Sequence, residues 1–384
     1  MIPIPFLKTF NRFAALSLAL LATASLSFAQ EGTWKTAFIK RGFVGMADAG
    51  WCGGLGGTQR MRTPLQFDGT KVRVHLRGDR LLDVDLTQMA LVKGADDMGK
   101  ITGTPFPILF SGSASLKVEK GAQPVVSDEM PISVTKGTWY VEDQYASQKF
   151  PYAYEVDRGY GEAGDAFAKE TLEKTLTFRS GVLYQVDVFT TDPRGSILCY
   201  GDSITHGYNS TPNTDHRYPA ILGKLIDRPV LNLGQNGDLA LYGGGMSATT
   251  RDLLGVDTVI FLMGINDIIS GGKINSAAAY GDLLKRIIEG NKAQQRKIYI
   301  GTITPASGYA KFDADPAKEA LRKEINAFIR QGNGADGVID FDAALTDPTN
   351  PGKLKAEYQS DWLHPNDAGY QKMAETAAKV LTGK

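Results

Sequence analysis

Two residues far apart in the chain have the types and surroundings for nucleophilic chemistry. Ser203 lies in Gly201-Asp202-Ser203-Ile204-Thr205, and His364 closes Asp361-Trp362-Leu363-His364. A serine hydroxyl is a weak nucleophile until a base takes its proton, and a histidine is an effective base when a third group fixes its orientation. Asp361, three residues before His364, lets one tight turn hold its carboxylate against the imidazole. Two further polar segments, Leu233-Gly234-Gln235-Asn236 and Gly264-Ile265-Asn266-Asp267, offer hydrogen-bond donors. The main-chain N–H groups of Ser203 and Gly234, with the Asn266 side-chain amide, can together hold the oxyanion that forms when an acyl carbonyl is attacked. Each residue also has a plainer role open to it. Ser203 and Asp361 can cap helices, Gly234 can serve a tight turn, Asn266 can bond local backbone, and His364 stands before a restraining proline. His206 and His216 are near the site only in sequence and are expected not to be catalytic, and His75 is expected to face solvent or a domain interface. The histidines show no zinc-binding spacing, so neither a metal nor another cofactor is expected.

These residues need a scaffold, and the second half of the chain provides one. Continuous apolar runs at 196–200, 230–233, 258–263, 298–303 and 338–341 alternate with helix-compatible segments at 218–226, 277–288, 316–329 and 368–381. Buried strands alternating with helices predict a parallel α/β sheet, and ligands of such sheets bind beyond the carboxyl ends of the strands. Ser203, Gly234 and Asn266 fall at those ends, and His364 precedes the last helix.

Earlier in the chain the period is two. Val72, Val74 and Leu76 alternate with polar residues, as do Leu82/Val84/Leu86, Leu116/Val118, Ile132/Val134 and 182–188. Short strands divided by turn residues predict a β-sandwich or jelly-roll-like domain over 30–194, interrupted by a helix-compatible stretch at 161–174, with the α/β domain over 195–384. Residues 1–29 are expected to be a signal peptide: Lys8 and Arg12, an apolar run, then Ser27-Phe28-Ala29 as the cleavage site. The run is too short for a stable membrane anchor, so the protein is expected to be secreted or periplasmic. Export permits a Cys52–Cys199 disulfide, although the apolar surroundings of Cys199 equally fit an inert core thiol. Lys plus Arg and Asp plus Glu each number 42, a balance that argues against nucleic acid as a partner.

The four polar segments, in this order, resemble the sequence blocks of the SGNH, or GDSL-type, hydrolases over about 196–384. Gly32-Thr33-Trp34 and the regions 72–76 and 105–118 more loosely resemble a β-domain of secreted bacterial members. The resemblance implies a flavodoxin-like parallel sheet sandwiched by helices and an ester hydrolase with Ser203 as nucleophile and Asp361–His364 as the charge-oriented base. It also implies an oxyanion hole from Ser203, Gly234 and Asn266. His206 departs from the residue many relatives carry there and bears on the entrance to the pocket. The family includes acetyl-sugar esterases, lipases, arylesterases and thioesterases, and fold does not choose among them. Short acyl esters, acetyl first, on a polysaccharide are the expected substrate, with Trp139, Tyr140, Tyr145, Tyr152 and Tyr154 as candidates to stack on sugar rings. A lipase for longer chains, an acyltransferase and a non-catalytic carbohydrate-binding protein are the alternatives.

Overall fold

A computed structural model describes residues 31–40, 45–48, 57–77, 83–95, 99–119, 123–145, 149–172, 174–179, 183–240, 250, 252–272 and 274–384. The expected signal peptide at 1–29, Cys52 and most of the segment 243–250 lie outside them. Residues 32–384 form one compact unit.

The parallel sheet begins with β13 (Ser196–Gly201), every residue of which is buried. Such a strand, covered on both faces, needs the unbroken Ile-Leu-Cys-Tyr run rather than an alternating one. It pairs on one side with β14 (Val230–Gly234) and on the other with β15 (Val256–Leu262), followed by β16 (Lys297–Gly301) and β17 (Gly337–Ile339). Numbered from β13, the order is 2-1-3-4-5, the flavodoxin-like arrangement, whose switch point lies between the first and third strands. Helices α1 (Ser203–His206), α2 (Tyr218–Leu225), α3 (Ile265–Ser270), α4 (Ala277–Ala293), α5 (Ala310–Asp313), α6 (Ala317–Ile329), α7 (Phe341–Leu345) and α8 (Asp367–Thr382) connect or flank the strands. The longer helices carry their own signals. In α4, Tyr280, Leu283, Leu284, Ile287 and Ile288 recur at three- and four-residue spacing and are buried, and Ser276 caps the helix by accepting from the Ala279 N–H. Asn366 caps α8, and Gly383, at φ 71°, ends it.

The first half is antiparallel. β1 (Thr33–Ile39), β12 (Leu183–Thr190), β4 (Lys71–Leu76) and β8 (Val125–Val126) form one sheet in that order. A larger sheet runs β11 (Lys174–Arg179), β10 (Lys149–Ala163), β3 (Gly57–Leu65), β9 (Gly137–Tyr145), β5 (Val84–Lys93) and β6 (Phe106–Pro107), with β2 (Gly45–Asp48) on β10 and β7 (Leu116–Val118) on β5. Val72, Val74, Val186 and Val188 of the first sheet share a core with Met61, Leu65, Leu91 and Val141 of the second, which makes a sandwich.

Several local expectations change. The stretch 161–174 forms no helix: β10 continues to Ala163 and turns follow, with the N–H of Ala166 tied to Thr58 Oγ1. Ile132 and Val134 lie in no strand, and Val134 makes an isolated bridge to Gly69. Trp139 and Tyr140 are core residues, 6% and 1% exposed, so neither is a platform for a sugar ring. The Trp139 indole instead donates to the Thr135 carbonyl, and Tyr140 Oη to the Ala95 carbonyl. His75 does not face solvent. It is buried, and its Nε2 is 2.8 Å from the Asp187 carboxylate, which also accepts from Thr36 and Gln185. Thr36 in turn bonds Leu254, through its N–H to the Leu254 carbonyl and from the Leu254 N–H to its Oγ1. Ile39 of β1 even joins the core of the parallel sheet.

Candidate active site

Residues 201–206 show how a six-residue segment presents one hydroxyl. β13 ends at Gly201, where a Cβ would stand 2.0 Å from Thr205 Oγ1, so only glycine lets the chain turn directly into α1. Asp202 is the N-cap: its carboxylate accepts from the Ile204 N–H at 2.9 Å. The capping role open to Ser203 is therefore filled by its neighbour, and Ser203 becomes the first helical residue. An N–H at that position has no partner within the helix.

His364 arrives from the other end of the domain. The Ser203 Oγ is 2.9 Å from His364 Nε2, and His364 Nδ1 is 2.8 Å from Asp361 Oδ2. The other carboxylate oxygen, Oδ1, accepts from the main-chain N–H groups of Leu363 and His364, and Trp362, between Asp361 and Leu363, takes a positive φ of 66°. One tight turn thus positions both ring and carboxylate. Burial pushes the Asp361 carboxyl up, but the hydrogen bonds from the His364 ring and N–H, its charge and the Leu363 N–H outweigh that and hold it down to about 2. An ionised carboxylate only accepts, so Nδ1 carries the proton and Nε2 faces the serine with its lone pair.

Asn266 is the second residue of α3, entered through Gly264 at φ 130°. Its Nδ2 donates to the Asp238 carbonyl at 2.9 Å, a contact across the site rather than within its own turn. An amide NH₂ has a second hydrogen to give. Gly234 differs from expectation: its N–H donates to Asn232 Oδ1 at 2.9 Å and is engaged within the strand end. Its missing side chain serves packing, since a Cβ there would lie 2.1 Å from the His206 nitrogen. The turn after it, closed by the Asp238 N–H on the Gln235 carbonyl, holds Gly237 one residue before the Asp238 carbonyl that accepts from the Asn266 amide. Gly237 has φ 72° and open space where a side chain would project, which makes its N–H a second candidate for the third donor beside that of Gly234.

The other histidines do not join this chain of bonds. His206 is buried and its Nδ1 is 3.1 Å from Asn236 Oδ1; His216 pairs with Asp367 at 2.7 Å. Cys199 is a buried free thiol, pushed up by burial to about 12 and inert in the core.

Three residues at the site escaped the sequence. The Tyr208 ring lies 4.6 Å from the His364 ring, Asn209 Nδ2 donates to Asp361 Oδ2 at 3.2 Å, and Asn232 binds α1 to β14 by donating to the Thr205 carbonyl. Asn232 could have been found as a polar residue inside an apolar strand. Tyr208 and Asn209 follow a left-handed Gly207 in a loop and carry no periodic signal.

The geometry is that of a serine acyl-transfer site on a flavodoxin-like sheet. Residues 199–372 match the model of the GDSL-like lipase/acylhydrolase family. This domain belongs to that family, and the protein is accordingly a carboxylic ester hydrolase. Its fold is similar to those of a G-D-S-L family lipolytic protein from Desulfitobacterium hafniense (22% identity over 48% of this chain and 99% of that one, TM-score 0.39), the lipase/acylhydrolase of Enterococcus faecalis (22%, 48% and 94%, 0.39) and the aryl esterase of M. smegmatis (16%, 48% and 97%, 0.37). A search of curated proteins returned no match.

Proposed function

We propose that the protein is an exported serine esterase that removes short acyl groups, acetyl first, from carbohydrate. The observation that carries this reading is the continuous Ser203–His364–Asp361 chain of hydrogen bonds, at 2.9 and 2.8 Å. His364 Nε2 takes the Ser203 proton as Oγ attacks the ester carbonyl, and Asp361 stabilises the imidazolium that results. The Ser203 N–H, the free hydrogen of the Asn266 amide and the N–H of Gly234 or Gly237 hold the oxyanion. His364 then protonates the leaving alcohol, and water repeats the sequence on the acyl-serine to release the acid. The groups bonded to the triad and to α1 include amides, Asn209 on Asp361 and Asn236 on His206, which favours a hydroxyl-rich leaving group. The leader-like residues 1–29 support export.

The test is hydrolysis of p-nitrophenyl esters from acetate to palmitate by the wild-type protein, with folded Ser203→Ala as the blank. We expect a rate that peaks at acetate and falls beyond butyrate, and at least a thousandfold loss in Ser203→Ala and His364→Ala. A peak at long chains moves the reading to lipase. Wild-type turnover by folded Ser203→Ala sinks the mechanism.

A further inference from the structure

Among the described residues, the large apolar side chains exposed to solvent are those of Val126, Tyr208, Leu225 and Val380. Scattered apolar residues on a surface are ordinary. Tyr208 differs in its place. Its ring centroid lies 4.6 Å from that of the His364 imidazole, with the planes tilted by 49°, while 37% of the residue stays open to solvent. The ring is therefore part of the approach to the base as well as packing against it.

The backbone that carries this ring is fixed on both sides. Gly207, at φ 93°, turns the chain out of α1, and the Tyr208 N–H donates to the Ser203 carbonyl at 2.9 Å. The Tyr208 carbonyl accepts at 2.7 Å from the hydroxyl of Tyr370, a fully buried residue of α8. One main-chain group is thus tied to the residue that bears the nucleophile, and the other to the helix that follows the base. A ligand landing on this ring has little freedom left to freeze, which is how a tyrosine offers contact area at low entropic cost.

The reaction decides which half of the ester meets the ring. In the tetrahedral intermediate on Ser203, the former carbonyl carbon bears the oxyanion, the acyl chain and the alcohol oxygen. The oxyanion belongs to the N–H donors. The alcohol oxygen must come within hydrogen-bond reach of His364 Nε2, because that nitrogen hands it the proton taken from Ser203 as the C–O bond breaks. A ring beside the imidazole then borders the departing alcohol and not the acyl chain.

We propose that Tyr208 is a specificity-determining residue on the leaving-group side, favouring an ester whose alcohol presents a flat apolar face, an aromatic ring or the C–H face of a sugar. The inference rests on the esterase reading above. An aromatic contact of this kind gives about a two- to tenfold preference. It acts while the alcohol is still attached, so it appears in kcat/KM for acylation; the acetyl-enzyme left behind is the same for every acetate.

The experiment measures kcat/KM of the full chain by acid release from benzyl acetate, a mono-acetylated methyl glucoside, ethyl acetate and ethyl butyrate. In Tyr208→Ala we expect the benzyl-to-ethyl and glucoside-to-ethyl acetate ratios to fall about fivefold, and the acetate-to-butyrate ratio of the ethyl esters to stay at its wild-type value. Tyr208→Phe keeps the ring and should keep all these ratios. A fall confined to benzyl acetate assigns an aromatic alcohol, and one confined to the glucoside assigns a sugar. If every ester slows by one common factor, the ring only steadies His364; if the acetate-to-butyrate ratio changes, the ring borders the acyl chain. Either result overturns the proposal while leaving the esterase standing. A wild-type protein inactive on every ester sinks the esterase reading instead.

Discussion

Within the site, two carboxylates behave oppositely, Asp361 three residues before His364 and Asp202 directly before Ser203. Asp361 is surrounded by donors and stays ionised to about 2, whereas Asp202 is pushed up to about 7, first by burial and then by the charges of Asp238 and Asp267, against the Ile204 N–H. A raised carboxyl contributes stability that is fully present below its unfolded value of about 4 and is lost as pH rises through about 7. Asp202→Asn keeps an oxygen for the Ile204 N–H but cannot ionise. Melting temperatures from pH 4 to pH 8 should therefore fall less in Asp202→Asn than in wild type; parallel curves would rule out this titration. For the oxyanion, Asn266→Ala should lower kcat by about 10²–10³ with little change in KM, measured on p-nitrophenyl acetate. The Ser203, Asp361, His364 and Asn266 positions were legible because each sits in a short motif at a strand or helix end. The third donor is less sharply marked: Gly234 and Gly237 are both glycines near one polar turn, and the bond from the Gly234 N–H to Asn232 distinguishes them.

At the level of elements, α1 is a single turn held from below by bare glycines at Gly201 and Gly234. Adding one methyl at Gly234 meets the His206 nitrogen and Cα, which are backbone and cannot swing aside. Gly234→Ala should cost about 1–3 kcal/mol in urea denaturation and lower kcat at the same time, because α1 carries Ser203. A stability loss without a kcat loss would show that α1 can shift without moving the hydroxyl. The parallel strands were readable because full burial forces long apolar runs. The sandwich was readable only in part. Trp139 and Tyr140 fit either a surface or a core role in sequence; Trp139 fills the space between the sheets, while Tyr140, on the opposite face of the same strand, packs with Val92, Ile101 and Tyr160, and the glycine- and alanine-rich stretch 161–174 continues β10 to Ala163 and then turns.

Across the whole molecule, the sandwich grips the loop that leads away from the nucleophile. Asp157 accepts from the Asn213 N–H and from Arg217, and Tyr160 Oη accepts from Asn213 Nδ2, while Asn209 and Tyr208 of the same loop touch the Asp361–His364 pair. Asp157→Asn leaves two buried guanidinium groups with a weakened partner. We expect a loss on the order of 3 kcal/mol in thermal or urea denaturation and a severalfold lower kcat, although Asp157 is in the other half of the fold; unchanged kcat would uncouple the two halves. Sequence reading saw two textures but not this grip, because ion pairs across more than fifty residues leave no local pattern. The triad, too, joins residues 161 positions apart, with His364 on the last loop before the final helix. A ribosome making this chain therefore releases a serine long before it has made the base that arms it, and hydrolytic power cannot arise until His364 has followed.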